Sequence, residues 1–144
     1  MWFVGCALLM VVVTVVAPGG ASLPATLGVA LDVVGIALVA LGIALNGRAT
    51  QAFRAHDTPI DPTEAPRALV EDGPYRRTRN PMYVAGVMIL LGIALLSGVA
   101  LTAPVLLLYV LLVARAFVPA DERTMERLFG DAWRDYASRV PRWL

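Results

Sequence analysis

Three arginines, two tyrosines and an asparagine crowd the stretch Gly73-Pro74-Tyr75-Arg76-Arg77-Thr78-Arg79-Asn80-Pro81-Met82-Tyr83-Val84-Ala85-Gly86: Tyr75, Arg76, Arg77, Arg79, Asn80 and Tyr83, at the threshold of a long apolar run. A second polar group, Arg115, Asp121, Glu122 and Glu126, follows where that run ends. Guanidinium groups bind carboxylates and phosphates as planar forks, and carboxylates take cations and hydroxyls. If the run between the two groups folds back as a hairpin, both reach one membrane face and make a two-sided polar pocket. Simpler uses compete with that reading. Arginines beside an apolar run anchor a transmembrane helix on its cytoplasmic side. Arg115 and Glu122, seven apart, can pair with each other, and acids just after Pro119 complement a helix dipole. Other chemistries lack their residues. There is no Ser-His-Asp set, no metal-ligand spacing and no GxGxxG after a strand, and Cys6 and His56 stand alone of their kinds.

The elements that must position these residues follow from composition. At 58% hydrophobic content over 144 residues and a mean hydropathy of +0.71, the chain reads as one all-α integral membrane domain with about four transmembrane helices. The expected spans are about 2–17, 26–46, 81–97 and 103–118, separated by a central cytosolic loop at 47–80 and followed by a segment at 119–144. Asn80-Pro81 marks a helix start, with Asn able to cap free amides and Pro suited to the first turn. Ser97-Gly98, with Thr102 and Pro104, marks the turn that splits the 81–118 run. Gly28, Gly35 and Gly42 recur every seven residues, as a helix-packing seam in lipid does. Asp32 is an ionisable group inside the second span and needs a partner, water or a proton there.

All 12 basic residues are arginines, confined to 48–79 and 115–142, so the loops at 18–25 and 97–104 face outward and both termini face the cytoplasm. This patterning gives no support to nucleic-acid binding. Between Pro119 and Ser138, Met125, Leu128, Phe129, Ala132, Trp133 and Tyr136 recur at helical spacing opposite arginines and acids. They predict an amphipathic cytosolic helix that packs on the bilayer or closes over the central loop. The central loop, long and proline-rich, is expected to fold over the pocket.

Three motifs in order, Gly-Pro-Tyr-Arg-x-x-Arg-Asn-Pro-Met-Tyr from Gly73, the pair Asp121-Glu122, and Leu128-Phe129-Gly130-x-x-Trp133-x-x-Tyr136 continuing to Val-Pro-Arg-Trp143, resemble the isoprenylcysteine carboxyl methyltransferase and phospholipid methyltransferase group of membrane enzymes. The resemblance covers about Gln51 to the end of the chain; the first two spans match only as apolar segments. It implies an S-adenosylmethionine-dependent methyltransferase with its cofactor at the cytosolic end of the last two spans, beneath the C-terminal segment. It implies catalytic roles for Arg79, Asn80 and Glu122, and cofactor binding by Tyr75, Arg79, Asn80, Pro81, Tyr83, Asp121 and Glu122. Two positions depart from the pattern. Asn80 replaces a histidine, which removes a titratable group, and Asp121 replaces a glutamate, which shortens a carboxylate.

Such a site suits methyl transfer from a sulfonium, an in-line displacement that asks the protein to align reactants and exclude water. The acceptor implied is lipophilic, either isoprenylcysteine-carboxylate-like or phospholipid-amine-like, and enters from the surrounding membrane lipids. Two alternatives stand beside this: an NADPH-dependent membrane sterol-type reductase, and a non-catalytic protein whose arginines contact anionic lipid.

Overall fold

The computed structural model describes residues 5, 9, 10, 12, 13, 16, 25–59, 64–99 and 102–144. Most of the first expected span, 2–17, and the loop after it lie outside the described residues, although Met10 is helical and fully buried with Leu90, Val105 and Tyr109. Helix α1 runs Ala25–Ala55 and α2 runs Pro81–Ser97. Helix α3 occupies Thr102–Phe129 and α4 Asp131–Arg139. The described residues contain no strand. Two helices, Thr26–Ala55 and Thr102–Phe129, are long and apolar enough to cross a membrane, and Pro81–Ser97 is a shorter apolar helix.

Helix α1 continues nine residues past the expected span end at 46, into what was read as loop. Loss of apolar character is not loss of helicity: Arg48, Ala49, Gln51, Ala52 and Arg54 are good helix formers, and Ala49 is fully buried against Val70 and Tyr75. The His56 ring ends this extension, set between the Ala52 carbonyl oxygen at 3.0 Å and Asp72 Oδ2 at 3.2 Å.

Helices α1 and α2 run antiparallel and touch backbone to backbone. A Cβ on Gly35 would lie 3.0 Å from the Gly92 carbonyl oxygen, and one on Gly42 would lie 2.9 Å from that of Ala85. The contact advances seven residues along both helices, and small residues at each step permit it. Gly35 and Gly42 therefore form the expected seam; Gly28 does not, having open space around its Cβ position. From the reverse side, a Cβ on Gly92 would meet the Gly35 carbonyl oxygen at 2.6 Å and Val39 Cγ2 at 2.7 Å. Gly92→Val should therefore destabilise the fold by about 1–3 kcal/mol or more. The measurement is the thermal midpoint of the detergent-purified protein; an unchanged midpoint would mean that the helices do not pack this closely.

The expected span end at 118 is not a helix end: α3 runs through Pro119 to Phe129. Pro119 would remove one amide and press its ring on the carbonyl four residues back. A π turn at Val113–Phe117 accommodates it, with the Val118 amide reaching the Val113 carbonyl. The buried positions record the wide turn: Thr102, Val105, Tyr109 and Val113 step by three or four, then Val118 follows after five. The expected single amphipathic helix is divided instead at Gly130, whose φ is 51°. Of its two expected resting places, the apolar side of α4 takes the central loop: Trp133, Tyr136 and Val140 are buried together, with Leu69 packed against them. Leu128 stays 48% exposed, outside that contact.

Candidate functional site

The site forms where the start of α2, the polar half of α3 and the tail at Pro141–Arg142 meet. Pro81 occupies the first turn of α2 as expected, but Asn80 makes no side-chain cap bond to that helix. Its amide Nδ2 donates instead to the Arg142 carbonyl, 3.0 Å away. Thr78, 2% exposed, donates its hydroxyl to the same carbonyl at 3.1 Å and accepts the Asn80 amide at 3.2 Å. The Arg79 amide donates to the Pro141 carbonyl at 3.0 Å. This lacing holds the tail across the 78–80 segment and satisfies buried polar groups that would otherwise cost about 1–3 kcal/mol each.

The lacing brings two arginines onto one carboxylate. Glu122 receives Arg79 Nη1 at 2.9 Å on Oε1, and Arg142 grips both oxygens, with its Nε 3.0 Å from Oε1. The Arg79 and Glu122 side chains are only 15% and 14% exposed, so little water competes. The Arg79 guanidinium also lies 5.8 Å from the Trp133 ring centroid, near enough for a cation–π attraction. Its Nε is buried and has no hydrogen-bond partner among the described residues.

Asp121 takes a separate partner: Tyr83 donates its hydroxyl to Oδ2 at 2.8 Å. Adjacent acids on α3 are thereby divided, one facing two cations and the other a neutral phenol. Tyr75 is not brought to this cluster. It is buried in a 3-10 turn at Gly73–Arg76, its ring 5.4 Å from that of Phe53, and its carbonyl accepts the Tyr136 hydroxyl at 2.8 Å. Burial holds both phenols well above the usual tyrosine range, with Tyr136 adding for Tyr75 and Glu71 adding for Tyr136. Both stay protonated, and Tyr136 remains a donor that fastens α4 to the turn preceding Arg79.

Arg115 forms no ion pair with Glu122. The π turn alters the facing of residues seven apart, and Arg115 is exposed without an ion pair among the described residues. Arg76 and Arg77 are exposed as well. The second arginine of the site is Arg142, and the tail is held by Thr78; neither was singled out from the sequence. Both lay within the quoted motifs, at Tyr-Arg-Arg-Thr-Arg-Asn and Val-Pro-Arg-Trp, where their types alone gave no ranking.

Among the described residues every regular element is helical, two of the helices are long and apolar enough to cross a membrane, and the polar groups gather where the apolar surfaces of α2 and α3 end; that is the class of a helical protein suited to a membrane. Residues 31–132 match the phospholipid methyltransferase family, and the chain belongs to it. No curated protein and no solved structure matches the chain significantly.

Proposed function

We propose that this protein is an S-adenosylmethionine-dependent integral-membrane methyltransferase acting on a lipophilic acceptor, with four spans and both termini in the cytoplasm. The observation that carries this reading is the convergence of Arg79, Glu122 and Arg142 at one end of the α2–α3 hairpin, with a buried arginine donor unpartnered among the described residues. The residues fit the cofactor's charges. Arg79 would take its carboxylate through the fork that Glu122 and Trp133 orient. Glu122 would accept hydrogen bonds from ribose hydroxyls or the ammonium, and Tyr83 and Trp133 offer aromatic walls for the adenine. When bound, S-adenosylmethionine supplies a methyl group on a positively charged sulfur.

The chain's own residues do the remaining work. The tail, laced to Thr78, Arg79 and Asn80, covers the cluster and limits water, which strengthens every charge interaction inside. Asn80 acts through the tail rather than by proton transfer. No covalent nucleophile is required, because alignment and exclusion of water suffice for this displacement.

Detergent-purified protein should bind S-adenosylmethionine and its demethylated product with a stoichiometry of about one in titration calorimetry, a single-site binding equilibrium. Absence of heat with both ligands, alongside saturable NADPH binding, would replace this reading with the reductase.

A further inference from the structure

The lower half of α3 sorts its charges by sign. Its acids are engaged: Asp121 accepts the Tyr83 hydroxyl, Glu122 holds Arg79 and Arg142, and Glu126 reaches Arg134 at 3.4 Å. Its arginines are not. Arg115, Arg123 and Arg127 are exposed and form no ion pair among the described residues. Arg123 and Arg127, four apart and so on one side of the helix, line a groove of about 320 Å³ together with Glu126. Nearer the apolar half, Leu108, Leu111 and Arg115 follow one another on an exposed face at steps of three and four. A hydrocarbon layer of about 30 Å, counted from Thr102 at a rise of about 1.5 Å per residue, ends about 20 residues on, beside Glu122 and Arg123. Arg115 then sits about 10 Å inside that edge, on the surface the leucines give to lipid.

We propose that this outer face of α3 binds an acidic phospholipid, with Arg123 and Arg127 seating its phosphate at the edge of the hydrocarbon layer and Arg115 reaching the same headgroup from below. The site is separate from the Arg79–Glu122 cluster, and its lipid is a resident partner, not a methyl acceptor. This needs α3 to cross a membrane and does not need methyl transfer. A cation inside hydrocarbon with no acid beside it is costly and draws an anion or water to itself. The long arginine stem lies along acyl chains and carries the charge toward headgroup level. Guanidinium forks match phosphate oxygens, and a lipid phosphate is held at that depth by its own chains. A zwitterionic headgroup offers the same phosphate but brings a cation with it, which three unpaired arginines repel. Glu126, the one acid on the groove, already has Arg134, so the face favours lipids of net negative charge.

The test titrates detergent-purified protein with phosphatidylglycerol, which is acidic and carries no amine, and with phosphatidylcholine, and counts the retained lipid by native mass spectrometry. Wild type should prefer phosphatidylglycerol by about 100-fold. Arg123→Gln combined with Arg127→Gln should cut that preference about 30-fold, since each arginine at a membrane surface contributes about fivefold, or about 1 kcal/mol. Arg115→Gln alone should cost about fivefold, and it carries the test if the double variant does not insert. Arg76→Gln with Arg77→Gln removes equal charge from another exposed surface and should leave the preference at its wild-type level. An equal loss in that control pair would mean diffuse attraction and overturn the site. Equal retention of both lipids by wild type overturns it too, as does displacement of the lipid by millimolar inorganic phosphate, which would make the groove a soluble-anion site. A doubled mass in wild type that the substitutions at 123 and 127 reduce to a single one would give the face to a second copy of the chain instead. S-adenosylmethionine affinity should stay at the wild-type level in every variant, so this site and the methyltransferase reading fail separately.

Discussion

Glu122→Gln should weaken S-adenosylmethionine binding by about 30- to 1000-fold while the protein stays inserted and monodisperse. The carboxylate is the one anion between Arg79 and Arg142, and its side chain is only 14% exposed. Gln preserves the shape and one acceptor but leaves two guanidinium groups facing each other without a counter-charge. Losing two charge-assisted hydrogen bonds, each worth about 1.5–3 kcal/mol with part recovered from solvent, gives about 2–4 kcal/mol of lost binding. Glu126→Gln is the control. Its carboxylate is 52% exposed and reaches Arg134 at 3.4 Å, a surface pair worth about 0–1 kcal/mol, so cofactor affinity should stay at the wild-type level. A Glu122→Gln protein binding within about threefold of wild type, under about 1 kcal/mol, would make Glu122 a structural tie for the tail and nothing more.

Arg79→Ala should abolish measurable methylation, while Arg77→Ala, two positions away, leaves it within about twofold of wild type. Arg79 is held by Glu122 and covered by Trp133, and it presents the one unpartnered buried donor found among the described residues. Removing it deletes a fork and leaves Glu122 with only Arg142, a loss of about 2–4 kcal/mol if two charged hydrogen bonds go. Arg77 is exposed and contributes diffuse positive charge to a surface. Arg79→Lys should be nearly as damaging, because an ammonium cannot reproduce a planar fork. The comparison is made by initial rates at saturating acceptor. Equal losses for Arg77→Ala and Arg79→Ala would favour a protein whose arginines act only through total charge on anionic lipid.

Much of the site's framework is readable from residue types because the constraints there are local. Asn80-Pro81 favours a helix start, and Gly35 and Gly42 at seven-residue spacing favour a close seam. Gly28 continues that spacing but lies outside the seam: the contact pairs positions in opposite directions along α1 and α2, and α2 ends at Ser97 before reaching its level. What stayed hidden depends on distant partners. Asn80 looks like a cap, yet its amide serves a carbonyl 62 positions away. Arg142 looks like one more surface arginine until the Thr78 hydroxyl, 64 positions distant, fixes the carbonyl beside it. The extension of α1 past Asn46 was missed for a different reason, since hydropathy reports where lipid ends and says nothing of where backbone hydrogen bonding ends.

The π turn at Val113–Phe117 carries a consequence for comparing this chain with its relatives. A helix turns about 100° per residue, so the extra residue absorbed there resets the rotational phase of everything that follows. The upper part of α3 points its apolar stripe at Met10 and Leu90, and the lower part, rephased by that one residue, points Glu122 at Arg79. A relative with an unbroken α-helix at this place would need a one-residue alignment gap between Val113 and Val118 to keep its acids in register with these. Single substitutions along 113–117 leave the phase intact, whereas a one-residue deletion rotates the acid pair away from the arginines as a unit. Length, more than side-chain identity, sets which way the acid pair faces beyond this segment.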